Sequence, residues 1–466
     1  MNRSVSPLII PVESQVRELD AKILLSCIAA ECGFPVIMGS RASVHFKMAA
    51  MPRGIYLAKS MRTLSNRMFR IIRLLGHEIV AWDEEALVHP PAETYYTLRL
   101  SPVTVSMVSH LFAWGQENAD LFRQYPALPE ATPIHITGNP RGDMLRPEIR
   151  GYFDEQVELL KKQYGDFILI NTNFSDVNPF VPNVGLFLPS DQKSETACLG
   201  QAGKGMSLEF ATGLRNHKQA ILADFIEMVP ALQRTFPDQT IVIRPHPSEK
   251  YDIYNELSVR FKNVVVDNSG NIIPWLLACK AMIHNGCTTG LEAYMLRIPA
   301  ISYLATFNEY YDYDFQGLPT KLSHQCFSLD ELLMTLGQIL AGEIAAAGGM
   351  ERKVLIDHYL AAQEGPLACE RMVDVLIASG YDQQAPSTSP MLMRTVGWLK
   401  CNIRAIRAQT NMRRSGPNRK KYQNHRFPEL TVADIERRIE RFGKLLNRFD
   451  YIRVSVHSRH IFNISG

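Results

Sequence analysis

The sequence predicts an α/β protein of two domains, each an open parallel sheet, followed by a basic helical extension. Three observations carry this expectation. Apolar segments of strand length alternate with helical patterns through residues 1–150. After an intervening helical stretch the same alternation restarts at 167 and runs to 303. From Gln383 onward the chain holds 17 Lys/Arg against 5 Asp/Glu, about +12 in a chain of net charge +3. The body is therefore mildly acidic and the tail basic, which points the tail toward an anionic surface.

In the first domain, 1–150, SQVRELDAKILLSCIAAECG (14–33) has helical spacing and closes on a glycine. FPVIMGS (34–40) reads as a short buried strand, and SMRTLSNRMFRIIRLLG (60–76) as a basic amphipathic helix. HEIVAWDEE (77–85) is a strand running into three acids, TVSMVSHLFAWGQENADLFRQY (104–125) a strand and helix, and IHITGNPRGDML (134–145) a strand ending at Gly-Asn-Pro. Residues 151–165 read as a linker helix.

The second domain, 166–385, opens on the strand FILINTNFS (167–175) and a long helix over 214–237. QTIVIRPHP (239–247), NVVVDNS (263–269), MIHNGCTTG (282–290) and IPAISY (298–303) supply further strands, with helices over 272–281 and after Gly290. Helices are also expected over 331–348 and 352–361. YYDYDF (310–315) contains an Asp-x-Asp but follows no clear strand, so it reads as a loop. STSPM (387–391) is linker-like, and the extension, 386–466, ends in an amphipathic helix, 432–449.

No apolar run reaches the ~18 residues of a membrane-spanning helix, and the first residues lack a signal peptide's apolar block. Eight cysteines without a CxxC pair favour a reducing compartment and no zinc site. The expected location is the cytoplasm. P-loop, GxSxG and GxGxxG patterns are missing, which argues against a nucleotide triphosphatase, a serine hydrolase and a nicotinamide enzyme.

Ligands of open parallel sheets sit beyond the carboxyl ends of the strands, and two tandem sheets would line a cleft with those ends. After the strand at 239–243 come Arg244 and His246, the histidine pinned between two prolines. An arginine fork beside a fixed histidine suits a phosphate; the bland alternative is a histidine capping the next turn. In HNGCTTGLEA (284–293), Gly286 and Gly290 permit a sharp turn, and Thr288 and Thr289 stand where a helix N-cap belongs. A helix amino end with small hydroxyls is a ready phosphate site, or else only a tight strand-to-helix turn. Glu292 either complements the helix dipole or grips a ribose. Ser248, His284 and Asn285 complete this candidate nucleotide-binding set.

In the first domain, Asp83, Glu84 and Glu85 follow a strand, where a carboxylate can act as general base or nucleophile; a solvated acidic loop is the alternative. Asn139 and Arg141 of TGNPR, and Asn171 and Asn173 of NTNFS, are polar residues after strands, placed to bind substrate or simply to make turns.

RPHP followed by HNGCTTGLEA resembles the GT-B glycosyltransferases that use nucleotide-activated sugars. VESQVRELDAKILL, PRGIYLAKS (52–60), IVAWDEEALV, ITGNPR, FILINTNFS and YQNHRFPEL resemble, more narrowly, the bacterial surface carbohydrate biosynthesis proteins, over most of the chain. The resemblance implies two Rossmann-like domains, with the donor nucleotide on the second. By similarity to transferases of CMP-linked Kdo or sialic-type sugars, donor-phosphate contacts fall on His246, Thr288 and Thr289, and the catalytic carboxylate among Asp83, Glu84 and Glu85. The acidic motif here reads Asp-Glu-Glu-Ala, without the glycine of some relatives.

The expected function is thus a metal-independent GT-B glycosyltransferase passing a sugar, CMP-linked in preference to UDP-linked, to a surface-polysaccharide acceptor, free or lipid-linked. It would use no cofactor beyond the nucleotide sugar. A UDP-sugar epimerase of the same fold and a non-catalytic scaffold are the alternatives. The basic tail either contacts an anionic membrane, placing the protein peripherally on the inner face of the plasma membrane, or wraps back onto the acidic body. Nucleic acid is not an expected partner, because stacking aromatics are few there.

Overall fold

The computed structural model describes residues 5–189, 198–383, 389–411 and 427–466. They divide into two compact units. One takes the chain up to Leu87, Tyr95–Tyr152 and everything from Leu355; the other takes Val88–Thr94 and Phe153–Val354. The first five residues of YQNHRFPEL and the first two of STSPM lie outside the described residues.

The first unit is built on six parallel strands: β1 (Leu8–Val12), β2 (Val36–Ser40), β3 (Ile55–Ala58), β4 (Glu78–Ala81), β5 (His110–Ala113) and β6 (Ile134–Ile136), in the spatial order 2-1-3-4-5-6. β1 and β3 were not anticipated as strands, yet they are the centre of the sheet. All five residues of β1 are buried, as expected of a strand covered on both faces. Pro11 is tolerated there because the pairing of β1 with β3 covers only Leu8 and Ile9, so the missing N–H falls beyond that ladder.

The second unit repeats the plan with β7 (Phe167–Asn171), β8 (Thr240–Arg244), β9 (Val264–Val266), β10 (Ala281–His284), β11 (Ala300–Tyr303) and β12 (His324–Cys326), in the order 12-11-10-7-8-9. Ile168, Ile170, Ile241, Ile243, Ile283 and Ile301 form its core with Phe225 and Met228 of the helix Leu208–Thr235. That helix starts at Ser207, whose Oγ accepts from the Phe210 N–H. The helix Asp154–Tyr164, expected as a linker, packs on the helix Ile272–Ala278 and so belongs to this unit. YYDYDF is not a loop: it opens the helix Glu309–Lys321, capped by the Asn308 side chain.

The C-terminal residues depart furthest from the expected extension. The second unit ends at Val354 rather than at 385, and the chain then returns to the first unit. The helix Ala368–Ala378 packs on the helix Gln15–Glu31. The helix Val432–Leu446, closed at its start by a Thr431–Asp434 capping box, lies on the same helix and buries Ile435, Ile439 and Phe442. Two cations tie it to the body: Arg438 pairs with Asp20, and Arg448, just past the helix, with Glu31 and Glu370, while Arg437 and Lys444 stay exposed. For this helix, wrapping onto the body is the outcome.

The tail then adds strands, not only helices. β13 (Arg453–Ser458) and β14 (Ile461–Ser465) form a hairpin whose second strand runs antiparallel to β2 and covers that edge. Gly39 makes the contact possible, since a Cβ there would collide with the His460 carbonyl oxygen and Ile461 Cα. Gly39→Val is therefore expected to destabilise the protein by about 3 kcal/mol in urea unfolding through overpacking. Unchanged stability would show that the hairpin does not seal this edge.

Candidate functional site

In the second unit the chain passes from β7 to β8 on one side and later crosses back to β10 on the other. The carboxyl ends of β7 and β10 therefore flank the topological switch point, where a parallel sheet opens a ligand crevice. Asn171 ends β7 opposite His284 of β10. Asn171 and Asn285 are both buried, and the side-chain oxygen of each makes no hydrogen bond. The Asn285 amide donates to the Asn173 carbonyl at 3.4 Å, and the Asn171 amide to Met282 Sδ at 3.6 Å. Buried polar atoms without partners are rare in proteins, and two occur here at the ends of the neighbouring strands β7 and β10.

The neighbouring turn, Arg244–Glu249, is organised by a residue that sequence reasoning passed over. Glu249 is fully buried. Its carboxylate accepts from Thr172 Oγ1 at 2.9 Å, the His246 N–H at 3.0 Å and Tyr254 Oη at 2.6 Å. Burial pushes its carboxyl up in pKa, with these donors pulling the other way. His246 is thereby held at the surface. Its Nδ1 accepts the Ser248 N–H at 3.2 Å, which puts the proton of the neutral ring on Nε2. Ser248 is itself exposed.

Arg244 does not join His246 as a phosphate fork. Its Nη1 and Nη2 donate to the carbonyls of Ser269 and Gly270 at 2.7 and 2.6 Å, and its guanidinium stacks over Trp275. Burial lowers its pKa to about 10. It ties the end of β8 to the loop after β9.

After β10, Gly286 adopts φ +77°, the left-handed turn that glycine permits. Gly290 serves differently, as clearance: a Cβ there would lie 2.7 Å from His284 Cε1 and Nε2. His284 is not a surface ligand. It is fully buried, its Nδ1 accepts the Gly286 N–H at 3.0 Å, and its Nε2 meets Ser323 Oγ at 2.9 Å. Thr288 precedes the helix Thr289–Leu296 without a side-chain cap, and Thr289 Oγ1 contacts Cys287 Sγ at 2.6 Å. Both threonines are half-buried, whereas Glu292 in the first turn is buried. The helix Glu309–Lys321 adds a pair that spacing could not show: His217 Nε2 lies 2.9 Å from both Asp312 carboxylate oxygens, with Tyr311 stacked on its ring.

The first unit has its own switch point, between β1 and β3, one strand away from the acids singled out in the sequence. Glu13 and Lys59 follow these two strands and pair at 2.9 Å. Lys59 also pairs with Glu18 at 2.5 Å, and buried Lys22 with Glu18 at 2.7 Å. Burial alone would raise the Glu18 pKa, but Lys22 and Lys59 outweigh it and hold the carboxylate well below its ordinary range.

The three acids after β4 divide by environment. Asp83 is fully buried and committed: it accepts from Tyr95 Oη at 2.8 Å, from Arg99 Nε at 2.9 Å and from Arg99 Nη2. Glu84 is buried, accepts from Trp82 Nε1 at 2.7 Å and lies 3.8 Å from Arg141, whose guanidinium stands over Trp114. Glu85 is the accessible one, with 42% of its side chain exposed and a two-pronged pair to Arg17 at 2.7 and 2.9 Å. Even against desolvation, Arg17 holds Glu85 well below the usual carboxylate range. Asn139 is buried, with Oδ1 capping the Arg141 N–H and Nδ2 without a partner.

Two outcomes test this geometry. Glu249→Ala leaves buried donors unmet and is expected to cost about 3 kcal/mol in thermal denaturation, with Glu249→Gln milder; equal small losses for both would mean that the carboxylate does not organise the turn. Burial depresses the His284 pKa to about 3, whereas the unfolded chain takes its proton near pH 6.5. The stability this gives is present above about pH 6.5 and is lost as pH falls toward 3, about 2 kcal/mol by pH 5. Urea titrations at pH 7 and 5 should therefore show a shallower pH loss for His284→Asn, and parallel losses would contradict the assignment.

No family model matches the sequence, and no curated protein matches it. Among solved structures the chain is similar to the wall teichoic acid polymerase TagF, at TM-score 0.50 and 10% identity over 80% of this chain and 89% of that one. It is also similar to the UDP-GlcNAc 2-epimerase from Methanocaldococcus jannaschii, at TM-score 0.47 and 12% identity over 80% and 99%. The likeness to TagF agrees with the two parallel sheets described above, and the chain has the two-unit, Rossmann-like GT-B fold.

Proposed function

We propose that the protein is a glycosyltransferase that takes a nucleotide-activated sugar at the β7/β10 crevice of its second unit. The observation that carries this reading is the pair of unpartnered, buried oxygens of Asn171 and Asn285 beside the amino end of the helix Thr289–Leu296. Acceptor oxygens suit ribose hydroxyls or a base amino group, and a helix amino end suits a phosphate. His246 Nε2–H supplies one further donor from the next turn.

The charge inventory favours a single phosphate. Arg244, the arginine of this turn, is committed to two carbonyls and Trp275. A histidine and a helix dipole match the charge of a monophosphate link, as in a CMP-activated sugar, better than that of a pyrophosphate. The sequence resemblance adds the acceptor class, a surface polysaccharide.

In the first unit Glu85 is the carboxylate that a substrate can reach. Held ionised by Arg17, it suits stabilising positive charge at the anomeric carbon better than accepting a proton. Asp83 positions the turn through Arg99 and Tyr95.

Thermal shift with CMP, CDP, UDP and GDP is the test. CMP is expected to raise Tm, since saturation near 100 Kd stabilises by about 2.7 kcal/mol, and His246→Ala should weaken CMP binding about tenfold, which roughly halves that shift. Glu85→Gln should keep the shift while lowering sugar transfer by about 10²-fold. A UDP-selective shift would favour the epimerase chemistry instead, and no shift with any nucleotide would overturn the reading.

A further inference from the structure

The helix Met391–Asn411 is attached to the first unit along a narrow seam. Gly397 lies so close to the helix Asn66–Leu75 that a Cβ would meet Leu74 and the Leu75 backbone nitrogen, and Cys401, one turn on, is buried. The opposite side faces solvent. Leu392, Val396, Leu399, Ile403 and Ile406 recur at alternating spacings of four and three, which places them on one face of the helix. All five are exposed, Leu392 by 77%, Leu399 by 54% and Ile406 by 62%. Trp398, at 53%, stands at the margin. Scattered exposed apolar residues are ordinary, but a continuous stripe of them marks an interaction surface.

Charge identifies what the stripe meets. Residues 391–411 contain four Lys/Arg and no Asp/Glu, and the sequence 412–426 adds six more Lys/Arg, again without an acid. Lys400 and Arg407 fall beside the apolar stripe on the helical wheel. A groove of about 240 Å³ borders the helix, lined by Phe46, Lys47, Trp398, Ala405 and Ile406. Two copies of this face would oppose cation to cation, which disfavours self-association. Among the described residues no helix is long and apolar enough to cross a membrane.

We propose that the helix Met391–Asn411 is a membrane-docking surface, lying in the interface of an anionic bilayer with its stripe among the acyl chains and its cations at the headgroups. Stripe, flanking cations and lack of acids are the features of an interfacial helix, and each basic residue near the surface adds roughly fivefold to partitioning. The surface is distinct from the helix Val432–Leu446, whose apolar face is already covered. It stands independently of the proposed sugar chemistry.

Flotation of the full chain with phosphatidylcholine vesicles, with and without about one third phosphatidylglycerol, tests the proposal. The protein should float with the anionic vesicles and much less with the neutral ones. Leu399→Asp/Ile403→Asp and Lys400→Glu/Arg407→Glu should each lower partitioning tenfold or more. Circular dichroism and Tm should stay unchanged in the first variant, whose sites are exposed. Wild-type protein that stays unbound, floats equally with both vesicles, or matches the variants overturns the proposal. So does a dimer that Leu399→Asp/Ile403→Asp converts to monomer without affecting flotation, since the stripe would then be a protein interface.

Discussion

The carboxylate of Glu249 is the contact on which the second unit's crevice depends. It joins Thr172, just beyond β7 and 77 residues away in the chain, to its own turn through the backbone N–H of His246 and to Tyr254 in the helix Asp252–Arg260. Three donors on one buried acceptor make a small network whose members reinforce one another in a low-dielectric setting. The two prolines around His246 restrict the backbone, but they do not say where the ring points. The buried carboxylate does that, by gripping the histidine's own N–H. An acid in the interior thus sets the position of a ring at the surface.

The first unit solves a similar problem with ion pairs. Glu13, Glu18, Lys22 and Lys59 gather where β1 and β3 part, and Arg17, Arg41, Glu84, Glu85 and Arg141 extend the array outward. The buried charges among them, Glu18 and Lys22, are weak contributors to net stability compared with apolar packing, yet removing one partner strands the other. Their value lies in geometry: the charged side chains after three neighbouring strands are fixed relative to one another. Glu85, at the rim of the array, combines exposure with enforced ionisation.

Much of the second sheet was legible because its strands are short apolar runs rich in Ile and Val, closed by Pro, Gly or Asn. The first sheet was less so. LIIPV follows one proline and contains another, and IYLA is only four residues long, so periodicity had little to act on. The polar candidates were found by their place after strands, and the structure puts Asn171, Asn285, His246, Thr288 and Thr289 in one neighbourhood of the second sheet. Arg244, His284 and Asp83 are engaged within the protein, their partners being backbone carbonyls, a serine 39 residues away, and an arginine and tyrosine more than ten residues on. Such partners leave no local trace. Glu249 was overlooked although it stands directly after the His-Pro-Ser turn and two of its three donors lie within five residues; its burial was the feature that local pattern did not reveal. The tail's composition disclosed its charge but not that its hairpin completes a sheet begun some four hundred residues earlier.

That completion orders events in time. β14 cannot cover β2 until residues beyond Ile461 have left the ribosome, whereas the second unit comes almost entirely from one contiguous stretch, Phe153–Val354. Domains generally fold as units during synthesis, so the second unit can be finished while the first still has an open strand edge. Open edges invite pairing with other chains. The nascent chain therefore carries its aggregation hazard in its earliest-made half, for the whole interval in which the later half is folding.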